Sequence, residues 1–338
     1  MSRGILNFLI EDRAYGSSNK EWIIELQQTQ MYWYELLVNP HDQVDTRKHI
    51  SEQVKFLKKE VESCLEKRFI YFICSRKKVR FCSKTPPVPT PYHGFMKIRV
   101  LVGREKKSQE FVAHALYDEN DQFVMPEIDS TGRFIVFPHP SGYKQIFSIH
   151  DYLLEFGINL GFSTKVEYVG KTKNPNNRPL NRVHGGLNDV LYNVSNEDND
   201  IIIYFNLFKV TSRATGNKYN IKYNVANSMM DEVKVEQEGD IIEKSFRFYF
   251  NPDTQDKNKD KERREIFNDL KEISKFNKIN KIHILFEVDD KSEYYKFYSS
   301  TVTPKHAHCL TVELNDNDIN IKDLNCSIED FIESNNNN

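Results

Sequence analysis

The sequence predicts an α+β fold, and three observations carry that expectation. Ile50, Val54, Leu57, Val61 and Leu65 recur at three- and four-residue steps with Lys and Glu between them, the spacing of one apolar helix face. From Met96 onward the pattern changes to short apolar runs separated by turn sequences such as Asp118-Glu119-Asn120-Asp121 and Ser130-Thr131-Gly132, which reads as strands. Beyond Ser148 helical and extended segments are mixed without an internal repeat, so neither an all-α nor an all-β class fits.

Taken in order, residues 20–70 read as helical, with Asp45 as N-cap of the 50–65 stripe. A strand-like run at 69–74 leads into the basic cluster Arg76-Lys77-Lys78-Val79-Arg80. The heptapeptide Thr85 to Pro91 holds prolines at 86, 87, 89 and 91, which suits neither a helix nor a central strand, and predicts a stiff linker. Strands are expected at 97–102, 111–116 and 134–137, and a helix at 148–156. A strand at 166–169, a helix at 179–193, a strong strand at 201–210 and a helix at about 238–250 follow. Residues 257–262 read as a charged loop. Ile266, Phe267, Leu270 and Ile273 mark an amphipathic helix at 263–279, succeeded by a strand at 282–288 and a frayed asparagine tail. This divides the chain into a mainly helical region with a basic patch (1–84), a proline-rich linker (85–94), a β-rich segment (95–147), a core (148–260) and a C-terminal α/β extension with an acidic tail (261–338).

Of 338 residues 39% are hydrophobic and 28% charged, with 23 Phe and 17 Tyr, a composition that builds real cores and argues against disorder. No run approaches the ~18 apolar residues of a membrane helix, and the charged first twenty residues lack a secretory signal. Five cysteines at 64, 74, 82, 309 and 326 form no CxxC, which predicts reduced thiols in a cytoplasmic protein and no zinc site. Net charge is −2, but residues 51–110 hold 15 Lys/Arg against 6 Asp/Glu, and residues 312–338 hold 7 acids against 1 lysine. The basic block reads either as a phosphate footprint or as a solvated face.

The most informative stretch is Val166 to Thr172, followed by Arg178 and His184. Its Gly170-Lys171-Thr172 invites comparison with a phosphate-binding P-loop. That motif needs a glycine at 165, where this chain has lysine, and an immediate helix, where it has Asn174-Pro175-Asn176-Asn177. Pro179 instead suits a first helical turn, placing Arg178 at the helix start and Arg182 and His184 just beyond. An arginine there can grip a phosphate, and a histidine can position or transfer a proton.

In this pattern the chain resembles the GIY-YIG nuclease superfamily over residues 150–260. Tyr168-Val169-Gly170 is similar to the second signature strand, and Arg178 stands eight residues beyond that glycine, where the family has its arginine. The family's His or Tyr four residues on is Arg182 here, with His184 two residues later. Its metal-binding glutamate is matched by Glu243, with Pro252 at +9 and Gln255 at +12 in place of asparagine. The first signature element is read at Gly157-Ile158-Asn159, with Asn159 where the family has a tyrosine that arranges the attacking water; Tyr152 or Tyr143 would have to stand in.

The resemblance implies a small antiparallel sheet flanked by helices, and a Mg²⁺-dependent endonuclease in which Mn²⁺ can substitute. Tyr168, Arg178, His184 and Glu243 would be catalytic, with Glu243 holding the metal. Lys171, Arg182, Arg76, Lys77, Lys78 and Arg80 are the expected substrate-binding cations, DNA being favoured over RNA, and restriction or defence against foreign DNA is the use suggested. Two other readings stay open: an inactive nucleic-acid-binding module, motivated by Asn159, the displaced histidine and Gln255, and an interaction subunit of a larger complex or a homo-oligomer. Plainer readings stand beside each residue, since a strand tyrosine is commonly half-buried and a helix glutamate commonly solvated. His306 and His308 could face one metal but more simply belong to a surface strand.

Overall fold

The computed structural model describes residues 2–38, 46–139, 142–175, 178–179 and 185–336. Its centre is a nine-stranded mixed sheet. The strands run in the order Phe297–Tyr298, Thr164–Thr172, Phe69–Lys77, Asn199–Thr215, Asn19–Trp33, Ile279–Glu287, Ala307–Asn315 and Asp318–Asp323, with Tyr223–Ala226 joined to Asn199–Thr215. Neighbours are antiparallel except Asn19–Trp33 with Ile279–Glu287, and Thr164–Thr172 with Phe297–Tyr298. Mixed helices and sheets bear out the α+β class.

The first expectation to fail is the helix over residues 20–33, which form a strand near the middle of the sheet. Trp22 and Ile24 are fully buried while Ile23 and Glu25 are only half-buried, a two-residue period. The Glu- and Gln-rich composition favours helix locally, but pairing on both sides with the Asn199–Thr215 and Ile279–Glu287 strands overrides it. The helix that the 50–65 stripe predicts is present at Thr46–Ser63, with Leu57 and Val61 buried. Its expected N-cap, Asp45, lies outside the described residues.

The proline-rich segment is an edge strand rather than a linker. Val88–Pro89 pairs with Phe95–Val102, where a residue lacking an N–H is tolerated because one side faces no partner. The strands between 79 and 148 form two small sheets inserted between the paired strands Phe69–Lys77 and Thr164–Thr172. Phe81, Met96, Ile98, Phe134 and Tyr152 share one continuous core with Phe72, Ile203 and Phe286. The expected segments therefore do not each carry a core of their own, and 261–338 adds strands to the central sheet.

Three further helices frame the site. Gly185–Asn193 begins later than the expected 179, since Arg178 and Pro179 lie in a turn. Val235–Phe250 buries Gly239, Ile242, Phe246 and Phe250 on one face, and Phe246 and Phe250 meet Phe72 edge-on. It ends at Asn251 in the left-handed conformation, just before Pro252. Lys259–Asn277 lies beside it, with Ile266, Leu270 and Ile273 inward.

Candidate active site

The site grows from the antiparallel pair Phe69–Lys77 and Thr164–Thr172. A bulge at Glu167 resets the register so that Tyr71 faces Gly170, Phe72 faces Val169 and Ile73 faces Tyr168. Tyr71 and Tyr168 thus lie diagonally on one face, their rings nearly parallel at 17° with centroids 6.1 Å apart. Two glycines make room for them. A Cβ on Gly170 would sit 2.4 Å from the Tyr71 ring, and one on Gly186 would sit 2.4 Å from the Tyr168 ring. Only residues without side chains fit beneath these phenols.

Glu243, on the Val235–Phe250 helix, acts on both tyrosines. Burial pushes the Tyr71 phenol far above its ordinary value, and the Tyr168 and Glu243 charges raise it further while Arg178 opposes them. Burial also raises Tyr168, with Glu243 adding to it. The Glu243 carboxyl itself is pushed up to about 7, first by burial, with Lys171 lowering it and Asp240 and Glu262 raising it. Tyr71, Tyr168 and Glu243 are therefore within electrostatic reach of one another, and Arg178 is within reach of Tyr71. Arg178 is exposed in its turn, with its backbone N–H on Asn174 O at 3.1 Å. Arg182 and His184 lie outside the described residues.

Gln255 holds this corner in place. Its Oε1 accepts from Val169 N at 2.7 Å and its Nε2 donates to Val169 O at 2.8 Å, so one side-chain amide completes the strand edge as a neighbouring backbone would. Arg247 in turn ties the Gln255 loop to the glutamate helix, donating to Gln255 O at 2.6 Å and Lys257 O at 2.9 Å and pairing with Glu262. Lys171, expected at the substrate, is bound to the same helix through Asp240 at 2.8 Å and Glu236 O at 3.1 Å.

The basic cluster stands elsewhere. Arg76 is buried, ion-paired with Glu293 and 4.0 Å above the Tyr294 ring, so it has no face for a phosphate. Arg80 pairs with Asp200 at 2.8 Å and with Glu35 at 2.6 Å. Asp200 also meets His150 at 3.0 Å; burial opposes its charge, yet these hydrogen bonds hold it well below the usual carboxylate range. Lys77 pairs with Asp198 at 2.5 Å and Lys78 donates to Asn196 O at 2.9 Å. All four lie toward the far end of the strand from Tyr71.

Asn159 is not at the corner either. Its Oδ1 accepts from Glu293 N at 3.1 Å in a structural loop. Tyr152 is buried among Phe81, Phe137 and Phe147, and Tyr143 is 68% exposed, so neither stands in for a missing tyrosine. The tyrosine beside Tyr168 is Tyr71, within Phe69-Ile70-Tyr71, where the sequence shows only the start of a short strand. His308 is buried with its ring nitrogens on Tyr249 Oη and Lys305 O, not presented with His306 as a metal pair.

Among the described residues no group of three or more His, Cys, Asp or Glu side chains gathers to hold a metal. Glu243 is half-buried with no ion pair among the described residues, and the desolvation of its carboxyl favours the neutral form. Such a donor fits Mg²⁺, which binds through one or two carboxylates and keeps several waters. Comparisons with known proteins return no match among protein families, curated proteins or solved structures.

Proposed function

We propose that this chain is an endonuclease that hydrolyses nucleic-acid phosphodiester bonds with a divalent cation at Glu243, in the manner of the GIY-YIG nucleases it resembles. The observation that carries this reading is the convergence of Tyr71 and Tyr168, paired over Gly170 and Gly186, with the Glu243 charge acting on both. Tyr71 supplies the tyrosine that Asn159 had seemed to replace, which removes one motive for an inactive module.

Both phenols stay protonated at neutral pH, so they act as hydrogen-bonding groups that orient a water rather than as free phenolates. Arg178, exposed in its turn, carries a charge fit for the non-bridging oxygens of a phosphate and for charge that develops on them. Glu243 offers a carboxylate that loses its proton easily once a cation compensates its burial. A bound Mg²⁺ would polarise the phosphoryl group and lower the pKa of its water.

The test is cleavage of plasmid DNA and of RNA in Mg²⁺ or Mn²⁺ by wild type and by Glu243→Ala. Wild type should cut, DNA in preference, and the variant should bind without cutting. A wild type that leaves both polymers intact removes the reading.

A further inference from the structure

The inserted sheets build a second feature that the site does not use. A groove of about 690 Å³ runs between the Gly103–Lys106 hairpin and the Asp129–Gly132 turn. Its lining carries Lys78, Arg80, Lys84, Arg104 and Lys106 against a single acid, Glu197. Arg80 is spent on Asp200 and Arg104 pairs with Glu197 at 3.0 Å. Lys84 and Lys106 are exposed and have no carboxylate partner among the described residues, and Lys78 meets only a carbonyl. Uncompensated positive charge therefore remains in the groove.

Both walls are fixed. On one side Gly103 N donates to Lys78 O at 2.8 Å and Arg104 N to Asp198 Oδ1 at 3.2 Å, pinning the hairpin to the end of the Phe69–Lys77 strand. Gly103 has φ +67, and a Cβ there would lie 2.8 Å from Asp198. On the other side Phe81 N donates to Gly132 O at 2.7 Å, and a Cβ on Gly132 would lie 2.3 Å from Phe81 O. These close approaches fix the backbone walls of the groove, so the walls need not be ordered when a ligand binds.

We infer that this groove binds the phosphate backbone of a nucleic acid, as a contact separate from the Tyr71 corner. The identity of the polymer rests on the nuclease reading; the anion chemistry rests on the groove alone. Lys78 lines the groove directly after Lys77, which ends the strand six residues beyond Tyr71, so the groove edge lies ~20 Å from the corner at ~3.4 Å per residue. That span is roughly six base pairs of B-DNA, within reach of one short duplex.

The experiment is fluorescence anisotropy with a labelled 30-base-pair DNA across a series of KCl concentrations, in the Glu243→Gln background to prevent cleavage. The groove variant is Lys78→Gln/Lys84→Gln/Lys106→Asn, with asparagine chosen because Lys106 has φ +51. Each lost phosphate contact should lower the slope of log affinity against log salt by about 0.9, so the triple variant should lose between two and three in slope. At ~0.1 M KCl it should bind at least about tenfold more weakly. The charge-matched control Lys261→Gln/Lys271→Gln/Lys275→Gln, on the outer Lys259–Asn277 helix, should leave the slope unchanged. If the triple variant misfolds, each single substitution should still remove about one in slope.

Equal slopes for groove variant and parent, or an equal loss in the control, overturn the inference. Cleavage of the same duplex by wild type in Mg²⁺ separates the two readings. Cutting with an unaffected groove variant sinks the groove alone, whereas groove-dependent binding without cutting leaves the groove and sinks the nuclease.

Discussion

The side-chain amide of Gln255 satisfies both backbone groups of Val169, at 2.7 and 2.8 Å, inside a region where Gln255 is 6% exposed. Gln255→Ala leaves a buried N–H and a buried C=O without partners, at about 1–3 kcal/mol each. We expect urea unfolding to show a loss of about 2–6 kcal/mol, together with reduced cleavage as the Tyr168 strand loosens. Gln255→Asn is one methylene short and should fall between the two.

Gly170 and Tyr71 occupy one volume between them. Gly170→Ala should destabilise the fold by about 1–3 kcal/mol, the range for overpacking a filled site. In the Gly170→Ala/Tyr71→Ala double variant the added methyl meets no ring, so the two losses should be less than additive. A thermal-unfolding double-mutant cycle measures this coupling, and strict additivity would show the pair to be independent.

Glu243 sets a pH dependence whose sign follows from its raised value. The folded protein holds the proton more tightly than the unfolded chain, so this group favours folding below about 4.5 and its contribution is lost as pH rises through about 7. The difference between 4.5 and about 7 corresponds to roughly 3 kcal/mol at about 1.4 kcal/mol per pH unit. Glu243→Gln should therefore stabilise the metal-free protein at pH 8 and do little at pH 4. Calorimetry at both values tests this, and Mg²⁺ should raise the wild-type Tm at pH 8 but not that of the variant.

Arg178 is exposed, so its removal should separate activity from stability. Arg178→Ala should leave the Tm within about a degree while lowering kcat by about 10²–10³, the cost of one lost charge-stabilising donor. A matched fall in Tm would assign the residue a structural role.

The candidate site is legible in the sequence where its residues keep the spacings of the motif they resemble. Tyr168, Arg178, Glu243, Pro252 and Gln255 keep recognisable separations; the helices expected at about 238–250 and 263–279 form at Val235–Phe250 and Lys259–Asn277, the second starting inside the stretch expected as a charged loop. Tyr71 was hidden because residues 78–163 are inserted between its strand and that of Tyr168, and only the sheet register brings the two together. Asn159 drew attention by being near in sequence. The Asn19–Trp33 strand is not legible locally because its Glu and Gln residues favour helix, while its buried period of two emerges from long-range pairing. Arg76 and Arg80 look like surface charge until Glu293 and Asp200, far along the chain, neutralise them.

The most direct test of the central claim, that Tyr71, Tyr168 and Glu243 form one phosphodiester-cleaving site, is single-turnover cleavage of supercoiled DNA in Mg²⁺ by wild type and by Tyr71→Phe. Wild type should nick the DNA, and Tyr71→Phe should do so about 10²-fold more slowly with unchanged DNA affinity, the cost of a misplaced water. Cleavage by Tyr71→Phe at the wild-type rate, or DNA left intact by the wild type, would contradict it.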